Sequence, residues 1–320
     1  MRITKTLFAP FVLMFGMLAL TVSAQAADCH LTRLASVDMQ TNPRPVIEVT
    51  IAGKPYHFLV DTGAVFSEIA SDVATSLGLT PKVIRGVEIF TATGNKEKTY
   101  VTANDFNIGH LHADEMNLVV LDRKDDSIDG ILGPDVLKQY DIDFDFAAHK
   151  FNIFLQDHCP DQVVYWTADY ADASFDKGDG HIAFPVTLDN HVVSAVMDTG
   201  TTRTLLAEHV ARLAYGLSDQ SPGMETDNNT SGHVKSRYRF KSLSFGDLAV
   251  ANPLVYILPD LAEKAFHKER DLSKQDEDPL HREELDTPDL ILGMDVLSKL
   301  HIYISYKDDK LYFTNATAAR

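Results

Sequence analysis

The tripeptide Asp-Thr-Gly occurs twice in this chain, at residues 61–63 and at residues 198–200. Each copy follows an apolar run. Each is also matched downstream by a second apolar run that ends in glycine, at residues 131–133 and 291–293. A repeat of this size constrains the fold strongly, because both halves must form similar arrangements of elements. The sequence therefore predicts two similar lobes.

The segments around the two motifs follow the same order in each half. A β-prone hairpin leads into each Asp-Thr-Gly strand, a short helix follows it, and a second hairpin follows each downstream glycine. In the first of these final hairpins Asp143 and Asp145 alternate with phenylalanines, which predicts a half-exposed strand. The predicted leading strands are 45–51 and 182–188, the helices 67–77 and 206–215, and the final hairpins 140–154 and 300–313.

These patterns divide the chain into a leader, two lobes and a connection. Residues 1–26 combine a positively charged start, an apolar run and small residues at the end, which is typical of a cleaved export signal. We expect the first lobe at 27–160, a linker at 161–180 and the second lobe at 181–320. The second lobe has a longer spacing between its motif and its glycine, which predicts a charged insertion at about 259–288. A solvated surface segment is the simpler interpretation of this insertion, and a lid or an exosite specific to the second lobe is the alternative.

The charge balance excludes some classes of partner. The chain has 320 residues, of which 45% are apolar, and this composition is typical of a globular protein. Its formal net charge is −17, which opposes binding to nucleic acid and to anionic lipid. We expect no nucleic-acid partner and no stable membrane insertion once the signal is removed. The protein is expected to be exported, either periplasmic or secreted.

The chain has two cysteines, Cys29 and Cys159. In an exported chain such a pair predicts one disulfide, which would tie the mature N-terminus to the end of the first lobe. Together with the adjacent His30 and His158 the cysteines would supply the four ligands of a Cys2His2 metal site, but the spacing does not match a known zinc motif. We therefore predict a disulfide, no metal and no cofactor.

Two aspartates at equivalent places of a repeat suit acid–base chemistry. Two like charges held about 3 Å apart cannot both ionise, so one carboxyl stays protonated while the other activates water. The predicted catalytic residues are Asp61 and Asp198. Directly after these aspartates stand Thr62, Gly63 and Ala64 in the first copy and Thr199, Gly200 and Thr201 in the second.

The two Asp-Thr-Gly motifs and the two Ile-Leu-Gly segments resemble the aspartic peptidase superfamily. The Ile-Leu-Gly-x-Asp-Val-Leu pattern, at residues 131–137 and 291–297, is closer to the retropepsin-like branch than to the pepsin branch. Retroviral enzymes carry one such unit per chain and dimerise, so this chain resembles a fused, single-chain version of the bacterial, periplasmic type. The resemblance extends over residues 45–313. It implies a mainly β fold with two β-barrel lobes, a few short helices and an active site at the lobe interface.

The resemblance also implies roles for individual residues, and it predicts that the three residues after each aspartate support the two active loops. The glycines would let the loop amides face the carboxylates, and Thr62 and Thr199 would hydrogen-bond across the interface. A flap would close over an extended peptide, and a Gly-Asn tip between two β-prone runs suits one. The predicted flap residues are Thr91, Ala92, Thr93, Gly94 and Asn95, and residues 227–232 occupy the corresponding place in the second lobe.

Two differences of detail yield further predictions. Ala64 follows the first motif and Thr201 the second, and a hydroxyl near a carboxylate favours its ionised form. We therefore expect Asp198 to carry more of the negative charge and Asp61 more of the shared proton. Asp135 and Asp295, which follow the Ile-Leu-Gly segments, are expected to cap the next helices.

The sequence favours an aspartic endopeptidase that acts as a monomer on a peptide or protein substrate. Bulky apolar residues on either side of the cut are the expected preference. Three alternatives remain open at this stage. One is a peptidase fold that binds extended peptides without cutting them, and another is a subunit that is active only as a homodimer. The third is an exported processing or regulatory protein whose acidic insertion recruits one partner.

Overall fold

The computed structural model of the protein describes residues 29–84, 89–90, 96–97, 99–121, 128–176, 180–226, 236–259 and 288–316. The predicted export signal, the predicted flap at 91–95 and most of the 259–288 insertion lie outside the described residues. The second-lobe loop at 227–232 lies outside them as well.

The fold is mainly β with short helices, as the sequence predicted. In the described part of the chain the helices are α1 Ser71–Ser76, α2 Pro134–Leu137, α3 Glu208–Tyr215 and α4 Met294–Leu297. The strands of the first half are β1 Arg33–Gln40, β2 Val46–Ile51, β3 Lys54–Val60, β4 Glu68–Ala70, β5 Lys82–Val83, β6 Ile89–Phe90, β7 Lys96–Glu97, β8 Thr99–Ile108, β9 Leu111–Leu121, β10 Gly130–Leu132, β11 Asp141–Asp145 and β12 Lys150–Phe154. Those of the second half are β13 Ala171–Ser174, β14 Ala183–Leu188, β15 His191–Met197, β16 Leu205–Ala207, β17 Met224–Thr226, β18 Ser236–Arg239, β19 Ser242–Phe245, β20 Leu248–Ala251, β21 Leu254–Leu258, β22 Leu290–Leu292, β23 Leu300–Ser305 and β24 Lys310–Asn315.

Both lobes repeat one strand arrangement around their Asp-Thr-Gly loops. In the first lobe the β2–β3 hairpin leads into the loop, and β10 lies parallel to β3 and antiparallel to β4. In the second lobe β14–β15 forms the hairpin, and β22 lies parallel to β15 and antiparallel to β16. The apolar strand that precedes each aspartate is therefore flanked by paired strands, and the loop leaves the sheet at a fixed point.

The final hairpins of the two lobes join in one sheet. β11 pairs antiparallel with β23, so β11–β12 and β23–β24 form adjacent hairpins. One thirteen-stranded sheet runs through this junction, in the order β13-β24-β23-β11-β12-β1-β2-β3-β10-β4-β9-β8-β5. The second lobe adds a nine-stranded sheet in the order β17-β18-β21-β16-β22-β15-β14-β19-β20. Strand β13 lies within the stretch interpreted as a linker, where it pairs with β24 at the edge of the sheet.

Two local predictions were wrong. The first residues of the expected helices at 67–77 and 206–215 are strands β4 and β16, because they pair with the β10 and β22 strands. Asp143 is not half-exposed but fully buried, because His301 on the neighbouring strand β23 hydrogen-bonds to its carboxylate at 2.7 Å.

The predicted disulfide is present between Cys29 and Cys159, which are 130 positions apart. Across the described ranges, no helix is long and apolar enough to cross a membrane. The described ranges also contain no group of three or more histidine, cysteine, aspartate or glutamate side chains that could hold a metal ion.

Candidate active site

Asp61 and Asp198 occupy equivalent positions at the ends of two paired strands. Asp61 directly follows β3, and its backbone N–H donates to the carbonyl of Leu132 at 3.0 Å. Asp198 directly follows β15, and its N–H donates to Leu292 at 3.0 Å. The two Ile-Leu-Gly segments therefore lie directly beside the loops that carry the aspartates.

The threonines of the two motifs lock the loops together across the interface. Thr62 and Thr199 are completely buried. The Thr62 hydroxyl donates to the Met197 carbonyl at 2.7 Å and accepts from the Thr199 N–H at 3.2 Å. The Thr199 hydroxyl donates to the Val60 carbonyl at 2.7 Å and accepts from the Thr62 N–H at 3.0 Å. Four reciprocal hydrogen bonds in a buried setting fix the relative position of the aspartates that precede these threonines.

The glycines of the motifs provide both amides and space. Gly63 N–H donates to Asp61 Oδ1 at 2.9 Å, and Gly200 N–H donates to Asp198 Oδ1 at 2.7 Å. A Cβ at Gly63 would lie 2.4 Å from Cγ of Asp198, and one at Gly200 would lie 2.1 Å from Oδ2 of Asp61. Each glycine thus leaves room for the carboxyl group of the opposite lobe. This close approach, not a special backbone angle, is what requires glycine here.

The two carboxyl groups hydrogen-bond to each other, and their environment makes them unequal. Removal from water raises the pKa of Asp198 to about 7, and the negative charge of Asp61 contributes to the rise. Removal from water also raises the pKa of Asp61, but the Gly63 and Ala64 amides, the bond to Asp198 and the charge of Arg44 act against the rise. The loop amides and Arg44 therefore favour the ionised form of Asp61, and the charge of Asp61 favours the protonated form of Asp198.

The directions of these effects oppose the sequence-based hypothesis, which placed the negative charge on Asp198. The hypothesis relied on the hydroxyl of Thr201. In the structure Thr201 reaches Asp198 Oδ1 with its backbone N–H at 3.1 Å, and Ala64 does the same for Asp61 at 3.0 Å. The two amides act alike, so they do not make the carboxyl groups unequal. The hydrogen bond between the two carboxyl groups lowers the pKa of Asp61, and the charge of Arg44 lowers it further.

A second layer of hydrogen bonds holds each loop from behind, and the sequence analysis missed it. The Ser67 hydroxyl donates to Asp135 Oδ1 at 2.7 Å and accepts from the Gly133 N–H at 2.9 Å. The expectation that Asp135 caps α2 was wrong, because Gly133 is the capping residue and Asp135 lies inside the first turn. The sequence does contain a pattern that could have predicted this layer, because a hydroxyl residue, Ser67 or Thr204, stands six positions after the aspartate of each motif.

The second lobe repeats this layer. The Thr204 hydroxyl donates to Asp295 Oδ1 at 2.6 Å and accepts from the Gly293 N–H at 3.2 Å. Gly293 likewise occupies the capping position of α4, so the capping role expected for Asp295 was also wrong. Both layers tie the loop after an aspartate to the helix after an Ile-Leu-Gly segment.

Of the predicted site residues, the structure brings together both aspartates and all six loop residues. The predicted flap residues lie outside the described part of the chain. Among the described residues, a small apolar cluster includes Ala64 of the first loop. Its buried members are Leu59, Leu121 and Ile131, with Val46, Ala64 and Ile128 packed against them.

Comparison with known proteins gives matches for both lobes. Residues 47–139 match the family described as "gag-polyprotein putative aspartyl protease", and residues 184–296 match the family described as "Aspartyl protease". Together the two matches extend over more than half of the chain. The crystal structure of aspartic proteinase from Irpex lacteus has a similar fold, with a TM-score of 0.55 and 15% sequence identity. That similarity covers 89% of this chain and 98% of the other. The comparison with curated proteins found no match.

Proposed function

We infer that this chain, which belongs to the retropepsin-like aspartic peptidases and has two lobes, is an endopeptidase that cuts extended polypeptides with a water activated between Asp61 and Asp198. The observation that carries the proposal is the meeting of the two carboxyl groups at the lobe interface. Their environment favours ionised Asp61 and raises the pKa of Asp198, which supports Asp61 as the base and Asp198 as the acid. One base and one acid are thus held side by side, as hydrolysis of an amide requires.

Each carboxyl group has one task in the proposed reaction. The Asp61 carboxylate takes a proton from water while the water oxygen bonds to the peptide carbonyl carbon. Asp198 donates its proton to the carbonyl oxygen, which becomes a hydroxyl. When the C–N bond breaks, Asp61 returns its proton to the amine nitrogen, and the proton on the oxygen returns to Asp198. The products are a carboxylic acid and an amine, and the dyad regains its starting state.

The environment of the first loop supports a preference for apolar side chains next to the cut. The Leu59, Leu121 and Ile131 cluster includes Ala64, whose amide contacts Asp61, so apolar surface is continuous with the dyad. In the second lobe the pairing of Ala183 with Val196 corresponds to the pairing of Val46 with Leu59. These second-lobe side chains are smaller, so the larger side chain of the substrate is expected against the second lobe.

Export and monomeric action belong to the same proposal. The Cys29–Cys159 disulfide supports an oxidising compartment, where such bonds persist. Each lobe supplies one aspartate and one interlocking threonine, which supports a site completed within one chain.

Digestion of a mixed peptide library at several pH values tests the proposal, with and without a pepstatin-type inhibitor. We expect inhibitable cleavage between apolar residues, with kcat/KM falling above about pH 7 because Asp198 then loses its proton. Asp61→Asn and Asp198→Asn should each abolish cleavage. Cleavage that survives either substitution would refute the proposed mechanism. Peptide binding without cleavage would favour the non-catalytic alternative, and activity confined to a dimeric fraction in gel filtration would favour the homodimer.

A further inference from the structure

Two side chains cross the lobe interface to reach the glycines of the opposite motif. Arg44 Nη1 donates to the Gly200 carbonyl at 3.4 Å, and His181 Nε2 donates to the Gly63 carbonyl at 3.1 Å. Arg44 stands seventeen positions before Asp61, and His181 stands seventeen positions before the aspartate of its own lobe. The two donors are therefore equivalent in the repeat, although one is an arginine and the other a histidine.

Each of these donors holds a peptide group that also binds an aspartate. The Gly63 carbonyl and the Ala64 N–H belong to one planar, trans peptide group, so they point in opposite directions. His181 holds the carbonyl end, and the N–H end donates to Asp61 Oδ1 at 3.0 Å. A donor on the oxygen orients the group and polarises its N–H, which strengthens the bond to the carboxylate.

The second loop has the same arrangement with a different donor. Arg44 holds the Gly200 carbonyl, and the N–H of Thr201 in that peptide group donates to Asp198 Oδ1 at 3.1 Å. A guanidinium carries a permanent charge, whereas an imidazole can donate while neutral. The titratable and charged groups that meet here are Asp61 and Arg44 from the first lobe and Asp198 and His181 from the second.

We propose that Arg44 and His181 are positioning residues that aim the Gly200–Thr201 and Gly63–Ala64 peptide groups at the two aspartates, and that the arginine makes the two halves of the site unequal. This inference rests on the proposed function. It assigns to two residues outside the motifs a role in the acid–base behaviour of the dyad. If the contacts only join the lobes, removing the charge will not alter that behaviour.

The test separates the charge of Arg44 from its hydrogen bond. Glutamine keeps a donor but has no charge, so Arg44→Gln should move the acidic limb of the kcat/KM profile upward by about half a pH unit. Arg44→Lys keeps the charge and should leave that limb in place. Arg239→Gln is the matched control, because Arg239 Nη1 also donates to a backbone carbonyl, that of Asn252 at 2.9 Å, but on the exposed surface. The proposal would be overturned if the acidic limb of the kcat/KM profile lay at the same pH in Arg44→Gln, Arg239→Gln and the parent.

Substitution of His181 tests the hydrogen bond. We expect His181→Ala to lower kcat about tenfold with little change in KM, as the loss of one hydrogen bond would, and His181→Gln to restore most of the loss. Equal kcat in His181→Ala and the parent would refute its positioning role. Thermal melts show that each variant folds.

A readout that does not depend on cleavage keeps this inference separate from the proposed function. Without the charge of Arg44, ionised Asp61 is less stable in the folded protein. The loss of melting temperature in Arg44→Gln should therefore increase as pH rises through the titration of Asp61, whereas the loss in Arg239→Gln should stay constant. The same loss at every pH would overturn the role of the charge even in a protein that cleaves nothing. Absence of cleavage by the parent would refute the proposed function alone.

Discussion

Replacing Asp198 by asparagine should stabilise the protein at neutral and alkaline pH while abolishing hydrolysis. Asparagine has nearly the same shape as aspartate, and its Oδ1 can still accept from the Gly200 and Thr201 amides. Its amide can donate to the ionised carboxylate of Asp61, as the protonated Asp198 does. The substitution therefore mimics the protonated form at every pH and removes only the cost of the second charge.

The direction of the pH dependence follows from the raised pKa of Asp198. The folded protein binds this proton more tightly than the unfolded chain, so the contribution to stability is complete below about pH 3.8 and is lost as pH rises through about 7. A rise in pKa from 3.8 to about 7 corresponds to about 4 kcal/mol. The carboxyl group keeps a small exposed fraction, so solvent screening reduces this ceiling, and we expect about 2 kcal/mol, or roughly 3 °C in Tm.

Thermal unfolding of the parent and of Asp198→Asn at pH 4, 6 and 8 measures this effect. The difference in Tm should be near zero at pH 4 and should favour the variant at pH 8. Asp61→Asn should also favour the variant as pH rises, because burial raises the pKa of Asp61 too, although Arg44 and the loop amides offset part of that rise. Asp247→Asn, a change at an exposed aspartate in the β19–β20 turn, serves as the control and should show no trend. A difference in Tm for Asp198→Asn that is the same at all three pH values would refute the reasoning.

Three further predictions concern the frame around the dyad. Thr62→Val leaves the buried Met197 carbonyl and Thr199 N–H without partners, so urea unfolding should show a loss of about 2–4 kcal/mol, and Thr62→Ser should lose much less. Gly63→Ala places a methyl group against the Asp198 carboxyl, so peptide cleavage should fall about 100-fold or more; near-normal turnover would show that the loop can move aside. Replacing the Cys29–Cys159 pair by serines should lower the free energy of unfolding by about 2–4 kcal/mol, and a reductant added to the parent should produce the same loss.

The repeat made the fold and the meeting of the two loops predictable from the sequence. Two copies of a strand, loop and glycine segment at similar spacing leave few ways to arrange the elements, and β3–β10 and β15–β22 do form equivalent parallel pairs. The final hairpins were also predictable, because alternating and continuous apolar runs indicate strands directly. The starts of the helices were not, because β4 and β16 are only three residues long and owe their conformation to strands that are distant in sequence.

The buried polar side chains on strand β11 show another limit of what the sequence can predict. Asp141 and Asp143 on β11 are completely buried, and each meets a histidine: His158 Nε2 lies 2.6 Å from Asp141 Oδ2, and His301 Nε2 lies 2.7 Å from Asp143 Oδ1. A buried carboxylate needs such a partner, because an unpaired charge in the interior is costly. His301 is 158 positions away from Asp143 and belongs to the other lobe, so no local sequence pattern near Asp143 could predict this contact. Alternation with phenylalanines indicated the strand correctly but could not indicate what covers its polar side.

The same reasoning explains where the two lobes can differ and where they cannot. The frame of threonines and glycines must be nearly identical on both sides, because each member fills space or accepts a bond from its counterpart. Residues that contact this frame from outside need not be identical in the two lobes. Arg44 and His181 occupy equivalent positions there but are different residue types. In a dimer of identical chains a substitution at this position would appear on both sides of the dyad and keep it symmetric. In a single chain it appears once, so one carboxyl can be favoured as base and the other as acid before any substrate binds.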